Sequence, residues 1–596
     1  MLSLLLTPLV RKMAIRSNMI AIPQDSRWHK KATPFLGGVS IYFSFIIVWL
    51  ISANIMGWEN IGPPSLPMIL CASGIFLLGL ADDLYNMMPQ HKLVGQIVFA
   101  SLFIIFGYRL QWTNYQTIDL FLSILWIVGI TNAFNLLDNM DGLSVGIALI
   151  AGIFLFTIYY LDPGQISIVS NSILLASIIF IGALSGFLIY NFNPASIFMG
   201  DAGSLFIGFM LACLTSMSQP AESSGGIRRH LLSVIAIPIL IVFIPILDTG
   251  FVSVMRKLFG RSIAQGGKDH SSHRLVAIGF SERKAVLTLY ILAIVSGLIA
   301  LAVRKMQIGV SLVVIALYLL VVLFFWLYLA KVKVYPEDSI LNDNGRKGIT
   351  PILINITYRR RLLEVILDLV LITVAYYSAY LLCFEGELKG DFDYFLRSLP
   401  ILIACQIFWF FIMGVYRGFW ERASLRDLIV YVKAVSGGTV MAMLIILFLY
   451  RFYSFSRAVF VIYWFLILIL VSLARLSFRL IDEEIRRGNT KGRPTLIYGA
   501  GVGGQMTLNE MEKNRELNMA PIGFIDDDPK LHNRKLMGYP VLGGQTEIIS
   551  LIYKYKIKEI VISFKQSGPE KKRELQELCL KNSVEIDVRQ MSITIT

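Results

Sequence analysis

The segment that decides the fold is LFLSILWIVGITNAFNLLDNMDGLSVGIALIAGIFLF, residues 120–156. Two apolar runs of the kind found in membrane helices flank a polar centre. Five polar side chains crowd that centre, namely Asn132, Asn135, Asp138, Asn139 and Asp141. Carboxylates are costly beside hydrocarbon. On a helix, the four of these residues that recur every third position would share one face, which we expect to point into a helix bundle.

The same apolar character extends along the chain, which has 596 residues, 56% of them hydrophobic. Apolar runs of about 18 residues or more indicate membrane-spanning helices. We predict spans near 36–56, 66–80, 93–107, 119–134, 143–161, 167–189, 203–218, 231–253, 285–303, 308–331, 362–384, 397–415, 434–452 and 457–478. The fold class expected is therefore a polytopic α-helical membrane protein.

The net charge of +14 could suit a nucleic-acid partner. The lysines and arginines, however, concentrate in the loops at 11–31, 254–284 and 416–433, as the positive-inside rule requires of cytoplasmic loops. We therefore expect a lipid membrane and no nucleic acid. Counting spans also places residues 479–596 in the cytoplasm. The five cysteines form no CxxC pair, so the sequence predicts neither a zinc site nor a disulfide framework.

Four polar stretches begin or end spans on this cytoplasmic side. They are GLADDLYNMMPQHKLVGQ (79–96), NAFNLLDNMDGLS (132–144), YNFNPASIFMGDAGSLFIG (190–208) and GGKDHSSHRLVAIGFS (266–281). Carboxylates alone would repel one another. Together with a divalent cation, and facing lysine and arginine, they would form a site for phosphates.

These stretches, together with HKKATPFLGGVSIY (29–42), resemble the signature of the polyprenyl-phosphate N-acetylhexosamine-1-phosphate transferases, which include the WecA and MraY types. The likeness covers residues 1 to about 332. The first apolar segment, MLSLLLTPLV, is shorter than the family's first helix. DHSSHRL also replaces the three adjacent histidines of the MraY type, which favours a nucleotide N-acetylhexosamine donor over a muramyl-pentapeptide donor.

The resemblance implies a reaction between two anions. An oxygen of polyprenyl phosphate attacks the sugar-linked phosphorus of a nucleotide sugar, and UMP leaves. A divalent ion, Mg²⁺ or alternatively Mn²⁺, and basic side chains would neutralise the charge. We expect transfer of N-acetylglucosamine-1-phosphate from UDP-GlcNAc to undecaprenyl phosphate at the cytoplasmic face of the inner membrane, to initiate a cell-surface polysaccharide. Another N-acetylhexosamine remains an alternative.

The resemblance also assigns roles to the residues of the first three stretches. Asp201 is the expected metal ligand, with Asn135 as its partner. Asp82 and Asp83 match an essential pair that acts on the lipid phosphate, as a base or as metal ligands. Lys92 would bind a substrate phosphate.

Other positions are expected to contact the substrates. His270, His273 and Arg274 would bind the diphosphate or the sugar, and Asn191 and Asp141 would recognise the nucleotide. The remaining predicted substrate-binding residues are Asn132 and Asp138.

The second part of the chain is expected to be a separate module. Residues 1–332 would form the transferase domain, 333–361 a linker, 362–480 a four-helix membrane domain and 481–596 a soluble domain. In the soluble domain an apolar strand runs into Gly499, Gly501 and Gly504, and a helix follows. Asp526 ends the next strand about 20 residues later, where dinucleotide folds place a ribose-binding acid. This order predicts a cytoplasmic Rossmann-like α/β domain that binds a nucleotide or NAD.

Residues 358–596 resemble the membrane-anchored N-terminal part of the CapD-type polysaccharide-biosynthesis dehydratases, through GFIDDDP and GYPVLG. The tail contains no Tyr-xxx-Lys pair, which disfavours the alternative of an epimerase or dehydratase. A non-catalytic nucleotide-sensing scaffold is a second alternative, disfavoured by the acidic motifs. A structural role that forms a homodimer also stays open for the tail.

Overall fold

The computed structural model describes all residues except 22–31, 58–64, 114, 162–167, 218–226, 259–266, 268, 331–355, 385–391, 417–424, 452–454, 489–491, 515–516, 564–567, 583, 585 and 592–596. Most of the predicted linker at 333–361 lies outside the described residues. The chain divides into two compact units, Met1–Phe478 and Arg479–Thr596.

The first unit is helical. Its helices are α1 (Leu2–Arg16), α2 (Gly37–Met56), α3 (Ser65–Tyr85), α4 (Pro89–Ile105), α5 (Gln116–Leu137), α6 (Leu143–Tyr160), α7 (Ile168–Asn191), α8 (Gly200–Ser216), α9 (Ile227–Ile241), α10 (Phe243–Leu258), α11 (Ser271–Ala277), α12 (Glu282–Lys305), α13 (Ile308–Ala330), α14 (Ile356–Cys383), α15 (Phe392–Ile412), α16 (Leu425–Tyr450) and α17 (Arg457–Gly488). A two-stranded antiparallel ribbon, β1 (Ile20–Ala21) and β2 (Thr33–Pro34), precedes α2.

The helices fit a polytopic membrane protein. Among the described residues, 11 helices are long and apolar enough to cross a membrane, and α9 with α10 form one further bent candidate. Each predicted span coincides with one helix except 231–253, which falls on two. The helices α4 and α8 are shorter than a full span, with 17 residues each.

The prediction of a single helix over 231–253 is wrong, because the segment forms two helices, α9 and α10, which meet at a bend of 75° and together make one candidate span. Pro245 has no N–H to donate to the carbonyl of Ile241, and a proline ring clashes with the carbonyl four residues earlier. The helix therefore ends at Ile241 and restarts at Phe243.

The prediction of a four-residue polar stripe on one helix is also wrong. The helix α5 ends at Leu137, so only Asn132 and Asn135 lie on it. Asp138 and Asp141 belong to the turn that follows. Asp, Asn and Gly favour such turns, and Gly142 there adopts the left-handed φ of +74° that glycine tolerates.

The helix α8 lies at the centre of the helices α1 to α13 and packs against α2, α3, α5 and α6. Glycines allow this close packing. A Cβ on Gly79 of α3 would lie 2.5 Å from the main-chain oxygen of Asp201, and one on Gly38 of α2 would lie 2.2 Å from the nitrogen of Gly203. The first turn of α8 is therefore held directly against its neighbours.

The helices α14 to α17 enclose a mainly apolar core of their own, which also receives Leu320 and Phe324 of α13. A buried ion pair joins two of these helices, with Arg475 Nη2 2.6 Å from Asp368 Oδ2. A buried glutamine, Gln406, donates to the carbonyl of Ala434. Polar contacts between buried groups thus link helices that lipid alone would not hold together.

The second unit is an α/β structure. Four parallel strands, β3 (Arg493–Tyr498), β4 (Met519–Ile525), β7 (Glu559–Ile562) and β8 (Asp587–Gln590), form a sheet of order β4-β3-β7-β8. The helix α18 (Val502–Lys513) covers one face, and α19 (Ile548–Tyr555) and α20 (Gly568–Lys581) cover the other. A small antiparallel ribbon, β5 (Lys535–Leu536) and β6 (Tyr539–Pro540), follows β4.

Candidate functional site

The residues predicted to carry the chemistry meet where α3, α4, α5 and α8 come together. Lys92 of α4 lies between two carboxylates, with its Nζ 2.7 Å from Asp82 Oδ2 and 2.9 Å from Asp201 Oδ2. Asn135 of α5 donates from Nδ2 to Asp201 Oδ1 at 3.0 Å. Because the Lys92 ammonium lies between two carboxylates, the space between Asp82 and Asp201 favours a cation.

The two neighbouring aspartates of α3 make different contacts. Asp82 bonds to Lys92, whereas Asp83 accepts main-chain hydrogen bonds from the first turn of α8. Asp83 Oδ1 accepts from the N–H of Asp201 at 2.8 Å, and Oδ2 from the N–H of Ala202 at 2.9 Å. Both of its oxygens are therefore used at the N-terminus of the helix that carries Asp201.

The fit of this cluster to a divalent cation follows from its donor set. Among the residues that the structure describes, no group of three or more His, Cys, Asp or Glu side chains could hold a metal. Mg²⁺ needs only one or two protein carboxylates when water and substrate phosphates complete its shell. Asp201 meets that need. Asn135 donates from its amide nitrogen to Asp201, and its role as the second metal ligand stays a prediction.

Asn132 and Asp138 lie on either side of Asn135 in the chain. Asn132 exchanges side-chain hydrogen bonds with Gln96 of α4, at 2.5 and 3.2 Å. Asp138 follows directly after α5. Its removal from water raises its pKa to about 8, and the negative charge of Asp201 is the second largest cause. Gln96 did not emerge from the sequence reasoning, although a buried amide in an apolar helix is a signal for a polar partner.

Asn191 and Asp141 make hydrogen bonds to the loop before α8, and their recognition of the nucleotide stays a prediction. Asn191 is buried, accepts from the N–H of Gly142 at 3.2 Å and donates to the carbonyl of Ile197 at 3.0 Å. Asp141 Oδ2 accepts from the N–H of Ala195 at 2.8 Å. Their side chains therefore fix the segment that leads to Asp201.

His270 is held by a carboxylate that the sequence reasoning missed. Asp248 of α10 is buried, and its Oδ2 lies 2.8 Å from His270 Nδ1. Its Oδ1 accepts from the N–H of Ser271 at 2.9 Å and from the hydroxyl of Ser271 at 2.5 Å. A lone carboxylate inside the apolar run 231–253 was the signal that could have identified it.

Arg274 lies at the C-terminus of α13, and its contact with the substrates stays a prediction. It is buried, its Nη1 donates to the carbonyl of Leu329 at 3.0 Å, and its guanidinium lies 5.2 Å from the ring centre of Phe251. It therefore caps the C-terminus of α13, a role that suits a cation. His273 is also buried, and its ring lies edge-on to that of His270 with the centres 5.9 Å apart.

Hydrogen bonds join all four polar stretches into one site. The connecting pairs are Asp83 with Asp201, Asp141 with Ala195, and Asn139 with Ser272. The stretches are far apart in the chain and meet because the helices that carry them pack together.

In the second unit Gly499 and Gly501 lie between a strand and a helix, in the order that the sequence predicts. Gly499 has a φ of +104°, as a tight turn needs, and a Cβ on Gly504 would lie 2.0 Å from the oxygen of Gly499. A Cβ on Gly501 would meet nothing within 4 Å. Asp526, expected to bind a ribose, accepts from the N–H of Ala500 at 2.7 Å, so this carboxylate holds the loop.

Apolar helices that end at a cluster of carboxylates, amides and a lysine define a multi-pass membrane protein with a charged site at the helix ends. The family described as glycosyl transferase family 4 matches residues 65–219, which include that cluster from Asp82 to Asp201. The chain belongs to this family.

Its relatives agree with that membership. The chain is 32% identical over 326 residues to the probable undecaprenyl-phosphate N-acetylglucosaminyl 1-phosphate transferase of Bacillus subtilis, covering 52% of this chain and 85% of the relative. It is 31% identical to the decaprenyl-phosphate N-acetylglucosaminephosphotransferase of Mycolicibacterium smegmatis, over 47% of this chain and 74% of the relative. It is 29% identical to the phospho-N-acetylmuramoyl-pentapeptide-transferase of Staphylococcus carnosus, over 50% and 93%.

A second family, described as a CoA-binding domain, matches residues 412–588. The match begins at the end of α15 and extends through α16 and α17 into the α/β unit. Domains of this family occur in CapD-type proteins. Both resemblances found in the sequence are therefore confirmed.

Proposed function

We propose that this protein transfers N-acetylglucosamine-1-phosphate from UDP-GlcNAc to undecaprenyl phosphate and releases UMP, to initiate a cell-surface polysaccharide. The observation that carries the proposal is the bridge that Lys92 makes between Asp82 and Asp201, at helix ends within the matched family region. The names of the relatives in Bacillus and Mycolicibacterium support the substrate pair.

The chemistry requires two anions to approach each other. An oxygen of the lipid phosphate forms a bond to the sugar-linked phosphorus, and the bond from that phosphorus to the oxygen of UMP breaks. Asp201 would hold a divalent ion, Mg²⁺ with Mn²⁺ as an alternative, which would neutralise the diphosphate charge when bound. Lys92 offers its ammonium to a phosphate oxygen. A phosphate monoester is mostly ionised near neutral pH, so the attack needs no strong base.

The remaining residues would shape the site. Asn135 orients Asp201, and Asp248 orients His270, which we assign to the donor diphosphate or sugar. Asn191 and Asp141 position the loop before α8. We place the site and the C-terminal unit on the cytoplasmic face of the inner membrane, because the basic loops at 11–31 and 254–284 share that side.

The test is release of UMP from UDP-GlcNAc by the purified protein, dependent on undecaprenyl phosphate and on added Mg²⁺. Asp201→Asn should lower turnover by roughly 100–1,000-fold, the usual loss when one charge-stabilising contact is removed. Asp119→Asn is a matched control, because Asp119 is buried in the first turn of α5 and serves as an acceptor for Thr113. Near-normal turnover by Asp201→Asn would remove Asp201 from the site.

For the second unit we propose a Rossmann-like domain that binds a nucleotide or nucleotide sugar without transforming it. The strand order supports this, since β4 lies on one side of β3 and β7 on the other, and ligands of parallel α/β sheets bind where the strand order switches in this way. The open space at Gly501 leaves room for a phosphate.

Gly501→Leu should abolish binding in thermal-shift assays of the full chain against UDP-sugars and NAD. UMP release should stay unchanged. Failure of the unaltered protein to bind any of these compounds would leave the structural or dimerising role.

A further inference from the structure

Asp82 and Asp83 are adjacent in sequence, yet their carboxylates meet different partners. The Asp82 side chain is buried against Lys92, while both oxygens of Asp83 accept N–H groups of the first turn of α8. These N–H groups have no partner within their own helix. A carboxylate there also interacts favourably with the helix dipole. Asp83 is thus an N-terminal cap supplied by another helix.

We propose that Asp83 is a positioning residue that sets the place of Asp201, and that it does not itself touch either substrate. This inference rests on the proposed transferase function. It assigns the acidic pair of α3 two separate tasks. Asp82 belongs to the charged cluster with Lys92, and Asp83 fixes the helix that brings Asp201 to that cluster.

The residues at the start of α8 and just before it fit closely around the Asp83 carboxylate and the N-terminus of α2. Gly200 has a φ of +75°, and a Cβ there would lie 2.7 Å from Asp83 Oδ2, so a side chain would push the carboxylate away. From the other side, the N–H groups of Gly37 and Gly38 donate to the carbonyls of Phe198 and Met199, each at 2.8 Å. The start of α8 is therefore held between the N-terminus of α2 and Asp83.

Graded substitutions separate positioning from direct chemistry. Asp83→Ala removes both acceptors, and we expect a loss of turnover of about 100-fold, as for a reacting group displaced by about 1 Å. Asp83→Asn keeps one acceptor oxygen and should lose clearly less. Gly200→Ala removes no functional group, yet should reproduce the defect of Asp83→Ala. Gly182→Ala is the matched control, since a Cβ on Gly182 would contact nothing within 4 Å.

A second readout follows the metal site directly. Mn²⁺ binding to the purified full chain, measured by electron paramagnetic resonance, should weaken in Asp83→Ala and Gly200→Ala because Asp201 is displaced. It should stay unchanged in Gly182→Ala. If Asp83→Ala does not fold, Asp83→Asn and Gly200→Ala still provide the comparison.

Equal inactivity of Asp83→Asn and Asp83→Ala, with Mn²⁺ and UDP-GlcNAc bound as tightly as by the unaltered protein, would overturn the inference and make Asp83 a catalytic residue. Full activity of Gly200→Ala would also overturn it. If the proposed transferase function itself is wrong, the unaltered protein releases no UMP, and this result is distinct from a wrong role for Asp83.

Discussion

The ammonium of Lys92 lies 2.9 Å from Asp201 Oδ2, although 109 positions separate the two residues in the chain. The same ammonium lies 2.7 Å from Asp82, on the helix just before it. One lysine therefore joins the ends of α3 and α8. This arrangement makes Asp82 and Lys92 the side of the cluster that we assign to the lipid phosphate.

Asp82→Asn should reduce turnover more than donor binding. The substitution removes a charge that holds Lys92, so we expect kcat to fall by roughly 100-fold or more while the affinity for UDP-GlcNAc changes by only about threefold. UMP release and calorimetry with UDP-GlcNAc measure the two quantities. A complete loss of donor binding would instead place Asp82 in the donor site.

Asp248→Asn should impair His270 without unfolding α11. An asparagine keeps an acceptor for Ser271, but its N–H would face His270 Nδ1 and force the ring into its other tautomer. Turnover should fall by roughly 10–100-fold, as is typical when a carboxylate that orients a functional histidine is lost. Ser271→Ala is the control, since it removes one hydrogen bond to Asp248 and leaves the tautomer alone. Equal turnover of the two variants would show that Asp248 has only a structural role.

Arg475→Ala should destabilise the helices α14 and α17. It leaves Asp368 buried without its ion-pair partner, a change that commonly costs about 3–5 kcal/mol. Hydrogen exchange of peptides from both helices, in the full chain, measures the effect. The double variant Arg475→Met/Asp368→Leu removes both charges and should recover most of the stability. Protection of α14 as low in the double variant as in Arg475→Ala would contradict this account.

The pair formed by Glu559 and Arg589 predicts a pH dependence in the second unit. Burial raises the pKa of Glu559 above its usual value of 4.5, although Arg589, whose Nε lies 2.8 Å from Oε1, acts in the opposite direction. For an acid with a raised pKa, the stability present at low pH is lost as the pH rises through the raised value.

Arg589→Ala should therefore destabilise β7 and β8 more at pH 8 than at pH 4. We expect an additional loss of about 1–3 kcal/mol at the higher pH, toward the lower end because Arg589 is half exposed. Hydrogen exchange of the two strands at both pH values provides the measurement. Arg589→Ala/Glu559→Gln has no buried charge and should show no such difference. Equal loss at both pH values in Arg589→Ala would remove Glu559 as the cause.

The sequence predicted where helices form more reliably than where they break. Apolar length located every span, because burial of a helix in lipid depends on local composition. The break between α9 and α10 was missed, although the sequence contains Pro238 and Pro245. Hydropathy measures only how apolar a run is, and it does not register backbone hydrogen bonds that a proline removes. The glycine loop of the second unit was predicted well, because its turn depends on residues close together in the chain.

The sequence by itself determined that this is a multi-pass membrane protein with acidic motifs near Asp82 and Asp201, since hydropathy and motif spacing are local properties. Only the tertiary structure decided which of these groups meet Lys92 and which hold neighbouring helices in place. Asp82 meets Lys92, whereas Asp83 caps α8, and Arg274 caps α13. The physical reason is that a side chain's partners come from helices distant in sequence, and the packing of those helices sets the hydrogen bonds that each polar group can make.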